Sequence, residues 1–76
     1  MKYAVVIEKA ENNYSAYVPD LPGCIAVGDT LEEVEQMIGE AIEFHMEGME
    51  EEGLPIPEPT SFVQYVEVYP AVSSQQ

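Results

Sequence analysis

The stretch YVPDLPGC, residues 17–24, places two prolines and a glycine between segments that have the composition of β-strands. Pro19 has no backbone N–H and therefore ends a strand ladder, whereas Pro22 followed by Gly23 suits the two central positions of a type II turn. Asp20 is a residue type that favours turns. We interpret these four residues as architecture that reverses the chain sharply, with no direct chemistry of their own.

Alternating apolar residues on both sides of this turn predict three strands. Residues 2–9 (KYAVVIEK) place apolar side chains on both faces of a first strand. A turn at 11–13, which contains two asparagines, leads into a second strand over 14–18. The third strand covers 24–27, and Gly28 closes it. The pattern predicts a small antiparallel sheet.

The sequence TLEE at residues 30–33 indicates the start of a helix, because Thr30 and Glu33 have the spacing of a capping box. We predict a helix over 31–52, ended by Gly53. At 3.6 residues per turn, one apolar face should cover the sheet. That face comprises Leu31, Val34, Ile38, Ala41, Ile42, His45 and Met49.

The residues after the helix predict an extended connector and a last strand. LPIPEPT, residues 54–60, has three prolines in alternation, which is typical of an extended segment. Residues 62–69 (FVQYVEVY) are rich in aromatic and β-branched types and predict a fourth strand. The fold class is therefore α+β, in the order β-β-β-α-β. We expect a single domain over 1–70 and a flexible tail over 71–76.

The charge of the chain restricts its partners. Fifteen aspartates and glutamates oppose two lysines, and the formal net charge is -13. Direct binding to nucleic acid or to anionic lipid is disfavoured, because phosphate contacts require Lys and Arg. A hydrophobic content of 46% indicates a folded protein rather than an acidic tail. An acidic surface attracts basic partners.

A row of glutamates on the predicted helix faces away from the apolar side chains, and we call it the acidic ridge. No Lys or Arg on the helix compensates this charge. A solvated acidic face that serves solubility is one interpretation, and attraction and orientation of a basic partner is the other. We therefore take the ridge as a candidate partner-binding surface. It consists of Glu40, Glu43, Glu47, Glu50 and Glu51.

Cys24 and His45 are each the only residue of their type. A single cysteine excludes a disulfide framework and fits a reducing, cytoplasmic location. Neither residue has the neighbours that a metal site or a reactive thiol requires, so we predict no metal and no cofactor. We expect His45 to be a buried, hydrogen-bonded packing residue and Cys24 to fill space.

The ordered set YSAYVPDLPGC (14–24), GDTLEEVEQMIGEAIEFHMEGM (28–49) and PIPEP (55–59) resembles the HicB-like antitoxins of bacterial toxin-antitoxin systems. This resemblance implies a reduced ribonuclease-H-like fold, with the fourth strand beside the first and strand order 3-2-1-4. It also implies neutralisation of a small basic HicA-like toxin that cleaves RNA. Family members often carry a carboxy-terminal DNA-binding domain, and we expect a single-domain form without one.

Two other functions compete with this interpretation. Ribonuclease-H-like nucleases hold two magnesium ions with clustered carboxylates, and Glu8, Asp20 and Glu47 could form such a cluster. Lys2 and Lys9 are the only residues that could hold phosphate, so we predict that the chain is not an enzyme.

The second competing function is an orphan interaction module without a toxin. Both faces of the first and last strands are apolar, and one helix covers only one face of a sheet. A chain of 76 residues also has a thin core. We therefore predict self-association into a dimer or higher oligomer.

Overall fold

A computed structural model of the chain describes residues 1–71. It contains three strands followed by one helix, which confirms the α+β class. The elements are β1 (Val6–Lys9), β2 (Tyr14–Tyr17), β3 (Ile25–Gly28) and α1 (Leu31–Glu51). Most of the tail predicted over 71–76 lies outside the described residues. Within the described part, no helix is both long and apolar enough to cross a membrane.

The sheet is antiparallel throughout, with strand order β1-β2-β3. Ile7, Ala16 and Ala26 stand opposite one another and face α1. Because side chains alternate along a strand, the next row points to the other face of the sheet. That row contains Val6, Tyr17 and Ile25.

Helix α1 begins at the residue that its sequence predicts and ends one residue earlier. The Thr30 hydroxyl accepts a hydrogen bond from the backbone N–H of Glu33 at 3.1 Å, and the Glu33 carboxylate accepts one from the N–H of Asp29 at 2.7 Å. This differs from a standard capping box, in which the glutamate would reach back to Thr30 itself. The last helical residue is Glu51, one residue earlier than expected.

The carboxyl end of α1 is closed by a Schellman motif. Gly53 has a φ of 72°, a left-handed conformation that favours glycine. The N–H of Gly53 donates to the carbonyl of Glu50 at 3.1 Å, and the N–H of Leu54 donates to that of Met49 at 2.9 Å. The chain therefore leaves the helix in a defined direction.

The fully buried core is small and lies under the first half of α1. From the helix, only Val34 and Ile38 are buried, and Ala41 and Ile42 are partly buried against them. The rest of the helix continues past the sheet, where His45 and Met49 are half-exposed. Among residues 1–71, the buried hydrophobic residues are Ala16, Val18, Leu21, Cys24, Val34 and Ile38.

Gly28 allows the first turn of α1 to pack directly on β3. A Cβ atom at this position would lie 2.9 Å from the backbone nitrogen of Val34 and 3.2 Å from the Cβ of Glu33. Contacts this short force the neighbouring backbone to move. The absence of a side chain at Gly28 therefore sets how closely the helix approaches the sheet.

Two of the predicted strand segments have no strand partner in the single chain. The first strand was expected over 2–9, but it is paired only over Val6–Lys9, because β2 ends at Tyr17 opposite Val6. The fourth strand expected over 62–69 is not formed among the described residues, and the order 3-2-1-4 is seen only in its 3-2-1 part. The side chains of residues 62–69 are exposed.

Candidate partner-binding surfaces

The loop between β2 and β3 consists of two consecutive β-turns. The N–H of Leu21 donates to the carbonyl of Val18, and the N–H of Cys24 donates to that of Leu21, each at 3.0 Å. Pro19 and Pro22 each occupy the second position of their turn, where a φ near -65° is required. Gly23 has a φ of 85°, which agrees with the third position of a type II turn. The predicted turn chemistry is confirmed.

The same loop supplies half of the buried hydrophobic residues among residues 1–71, and of these three the sequence predicted only Cys24 to fill space. Val18, Leu21 and Cys24 are all buried, and Leu21 is fully inaccessible to solvent. The spacing of three between these apolar residues was the available signal for the burial of Val18 and Leu21, because it places them on one side of the two consecutive turns. Burial also raises the pKa of the Cys24 thiol, which disfavours the reactive thiolate. Cys24 therefore serves as a packing residue in the core.

Asp20 binds the connector that follows α1. One carboxylate oxygen of Asp20 accepts hydrogen bonds from the backbone N–H groups of Thr60 and Ser61, both at 2.9 Å. The other accepts from the hydroxyls of Thr60 at 3.1 Å and of Ser61 at 2.9 Å. These donors, first among them the N–H of Ser61, lower the pKa of Asp20 from its usual value. The role of Asp20 is therefore structural.

A second contact fixes the connector closer to the helix. The hydroxyl of Tyr3 donates a hydrogen bond to the backbone carbonyl of Pro57. The extended segment between Gly53 and Thr60 is thus attached both before β1 and in the β2–β3 loop. Residues 57–61 cross the end of the sheet between these two attachments.

The five glutamates of the acidic ridge are all exposed. The ridge lies opposite the buried Val34 and Ile38, as the helical period requires. The amide of Gln36 donates a hydrogen bond to the Glu40 carboxylate at 2.8 Å. Helix α1 carries eight glutamates and no lysine or arginine, so the electrostatic potential along this face is strongly negative.

A shallow apolar groove of about 390 Å³ lies beside the end of α1. Leu54, which follows the Schellman turn, closes it from one side, and the side chain of Phe44 is 79% exposed. His45 lines this groove and is only half-buried, so the expectation of a buried packing histidine is wrong. The physical reason is that the sheet does not extend under this part of the helix.

No described part of the chain covers the sheet face opposite α1. Tyr17, Ile25 and Val27 are exposed there, on two adjacent strands. This agrees with the expectation that one helix covers one face. The chain therefore offers an apolar sheet face and an acidic helix face on opposite sides.

The three carboxylates of the nuclease hypothesis are not brought together. Glu8 is exposed on β1, Asp20 binds the connector, and Glu47 lies on the far side of α1. Among residues 1–71, no group of three or more His, Cys, Asp or Glu side chains is arranged to hold a metal ion.

The fold and these surfaces can be compared with known proteins. The family described as the HicB-like antitoxin of bacterial toxin-antitoxin systems matches residues 3–71. The chain belongs to the HicB-like antitoxin family.

Two individual proteins are also similar to the chain in sequence. An uncharacterised 14.9 kDa protein of Haemophilus phage HP1 is 44% identical over 66 residues, which cover 87% of this chain but 50% of the phage protein. A UPF0150 protein of Synechocystis is 45% identical over 56 residues, which cover 72% of this chain and 71% of that protein. The chain thus spans only half the length of its phage relative.

A solved structure shares both fold and sequence with the chain. It is a chain of a HicA3 and HicB3 toxin-antitoxin complex, with a TM-score of 0.67 and 32% sequence identity. The similarity covers 78% of this chain and 70% of that chain. The two chains therefore share the arrangement of sheet and helix that positions the surfaces described above.

Proposed function

We propose that the chain is an antitoxin that neutralises a small, basic HicA-like toxin by forming a complex with it. The observation that carries this proposal is the acidic ridge, an exposed row of glutamates on a helix that contains no lysine or arginine. Family membership and the similarity to a chain of a toxin-antitoxin complex support it.

The charge distribution favours a basic protein as the partner. The formal net charge of -13 on 76 residues attracts cationic surfaces over about one Debye length, roughly 8 Å at physiological salt. Complementary charge accelerates encounter and fixes orientation more than it adds affinity. The ridge is therefore expected to act mainly on the association rate.

The cysteine and the two lysines of the chain support proposals on its cellular location and on its lack of nuclease and DNA-binding activity. The single Cys24 is buried as a free thiol, which suits the reducing cytoplasm. The only two lysines lie near β1, so the chain itself has no cationic surface for a phosphate backbone. We propose a cytoplasmic protein-binding module that neither cleaves nucleic acid nor binds DNA on its own.

Co-expression tests the antitoxin function directly. The gene for a small basic HicA-like protein from the neighbouring reading frame is placed under an inducible promoter, with and without this chain. We expect growth arrest by the toxin alone, rescue by co-expression, and co-purification of the two proteins. Continued growth arrest despite soluble antitoxin at equal or higher abundance contradicts the proposal.

The role of the ridge is tested with matched charge variants. Glu43→Gln, Glu47→Gln and Glu51→Gln are combined in one variant, and Glu8→Gln, Glu11→Gln and Glu58→Gln in another, because all six side chains are exposed. Both variants lose the same three negative charges. We expect slower association with the toxin and a weaker salt dependence from the ridge variant alone. Equal association rates for the two variants would leave the ridge a solubilising surface.

An orphan interaction module remains the alternative. The exposed apolar residues Tyr17, Ile25 and Val27 favour it, because they offer a contact surface independent of any basic partner. If no small basic protein is encoded beside the chain and none binds it, this function replaces the antitoxin proposal.

A further inference from the structure

Two segments with strand-forming sequences have no strand partner within the part of the chain that the structure describes. Residues 2–5 precede β1 and extend beyond the end of β2, and residues 62–69 belong to none of the described strands. The apolar side chains of segment 62–69 are between 48% and 90% exposed. Exposed aromatic and β-branched side chains in an extended segment form a surface that readily adds to the edge of a sheet.

The described sheet has two edge strands, β1 and β3, and the β1 edge is the one that continues into an unpaired segment, residues 2–5. β1 pairs with β2 on one side only, so the backbone N–H and C=O groups on its other side are available. Residues 2–9 and residues 62–69 are both eight residues long, about 27 Å of extended chain. An added strand would give residues 2–5 the ladder partner that β2 cannot provide.

The attachments of the connector fix the point at which segment 62–69 begins. The connector is attached first to Tyr3, which precedes β1, and then to Asp20 in the β2–β3 loop. Ser61 is held at that loop by hydrogen bonds of 2.9 Å from both its N–H and its hydroxyl. Segment 62–69 therefore starts beside the β2–β3 loop, and among the described residues it does not pair with the β1 strand of its own chain.

Charge favours this pairing over other contacts between two acidic chains. Segment 62–69 carries one charged residue, Glu67, and residues 2–9 contain both lysines of the chain, Lys2 and Lys9, together with Glu8. Helix α1, by contrast, carries eight glutamates. Contact between the two segments brings the net charge of -1 on residues 62–69 close to the net charge of +1 on residues 2–9. The acidic helices then remain exposed to solvent.

We propose that segment 62–69 of one chain pairs with the free edge of β1 in a second copy, forming a reciprocal strand-exchanged dimer. Each copy then has a four-stranded sheet in which the fourth strand is supplied by its partner. This proposal does not depend on the toxin, because it rests on the backbone edge and on segment 62–69 alone.

Sedimentation equilibrium of the full chain provides the first test. We expect the measured mass at micromolar concentration to be twice the chain mass of 8.4 kDa. Val66→Pro removes a backbone donor from the exchanged strand and should raise the dimer dissociation constant at least tenfold. Phe44→Ser is the matched control, because Phe44 is equally exposed but lies on α1; its dimer should be unchanged. A wild-type monomer, or dissociation by Phe44→Ser instead of Val66→Pro, overturns the proposal.

Cysteine crosslinking then distinguishes exchange between copies from pairing within one copy. Ala4→Cys is placed on a chain enlarged by a tag, and single cysteines at positions 63 to 68 are placed on untagged chains. Native Cys24 is retained, because it is 4% exposed and serves as the unreactive control. We expect disulfide-linked heterodimers at alternating positions of the scan.

The same pairs are also combined within one chain. Crosslinks of monomeric mass from these double variants would place segment 62–69 on its own β1 edge, and the absence of crosslinks at every position would exclude β1 as the acceptor. Either result overturns the proposal. Circular dichroism of each variant verifies that α1 and the core remain folded.

Discussion

Ser61 donates both its backbone N–H and its hydroxyl to the carboxylate of Asp20, although the two residues lie 41 positions apart in the sequence. Asp20 belongs to a turn between two strands, and Ser61 lies beyond the helix. The PDLPG loop thus performs two structural tasks. It reverses the chain, and it fixes the point from which segment 62–69 departs.

The first prediction concerns this contact and its dependence on pH. Because its hydrogen bonds lower the pKa of Asp20, the stabilisation is present above the ordinary aspartate pKa of about 3.9. It is lost as the pH falls through the lowered pKa of the folded state. Asp20→Asn should produce a similar loss at neutral pH. We expect faster amide hydrogen exchange at Thr60 and Ser61, measured by NMR.

Asp29→Asn is the matched control for this experiment, because Asp29 is exposed and its carboxylate does not bind the connector. It should leave the exchange at Thr60 and Ser61 unchanged. Unaltered protection of these two amides in Asp20→Asn would show that the connector is held by other contacts.

The second prediction concerns the buried leucine of the loop. Leu21→Ala should lower the free energy of unfolding by about 2 to 5 kcal/mol, because it leaves a cavity in a core with only six buried hydrophobic side chains among residues 1–71. Leu31→Ala, at a position that is 40% exposed, should cost about 1 kcal/mol or less. Urea unfolding followed by circular dichroism measures both. Similar losses for the two variants would argue against a loop-centred core.

The third prediction compares two glycines with opposite surroundings. Gly28→Ala should destabilise the fold by about 1 to 3 kcal/mol, because its Cβ would meet the backbone of Val34. Gly39→Ala should stabilise it by about 0.5 to 1 kcal/mol, since Gly39 lies inside α1 and an added Cβ meets nothing within 4 Å. Thermal melts of both variants supply the measurement. A neutral Gly28→Ala would mean that the helix can shift without penalty.

The fourth prediction concerns repulsion within the acidic ridge. Each like-charged pair spaced by three or four residues costs a helix roughly 0.2 to 0.5 kcal/mol, and Glu50 and Glu51 also lie at the negative end of the helix dipole. Replacing Glu43, Glu47 and Glu51 together with glutamine should therefore raise the melting temperature at low salt. The gain should shrink as salt approaches about 300 mM, where screening is strong.

The variant with Glu8, Glu11 and Glu58 replaced separates local repulsion from net charge. It removes the same charge but contains no pair on one helix face, so its melting temperature should rise less. An equal rise would assign the effect to the overall charge of -13 instead of the ridge.

Local chemistry made much of this fold predictable from the sequence. The turns at Pro19, Pro22 and Gly23, the cap at Thr30 and the stop at Gly53 each depend on a few neighbouring residues, and all are present in the structure. The alternation of apolar residues likewise located the three paired strands. These features follow from short-range sterics and hydrogen bonding, which a single sequence contains in full.

Features that depend on distant contacts were not predictable in the same way. The hydrogen bonds of Asp20 to Thr60 and Ser61 join segments that no periodicity connects. The half-exposed position of His45 follows from where the sheet ends, which strand patterns alone do not specify. For residues 62–69, strand-forming composition was recognised, but a strand exists only where an edge is available to pair with it.

The β2–β3 loop forms two turns and also contributes buried residues to the core. This double role determines where proteases can cleave the chain and where insertions can be tolerated. A surface turn is ordinarily the place where proteases nick a domain and where insertions accumulate. Here, seating a protease on residues 18–24 would require Leu21 and Cys24 to leave the core, so cleavage there should proceed at the rate of global unfolding. The turn at Glu11 and Asn12 is exposed and contributes no residue to the core. Proteolytic cleavage and insertions should therefore be tolerated best at this turn.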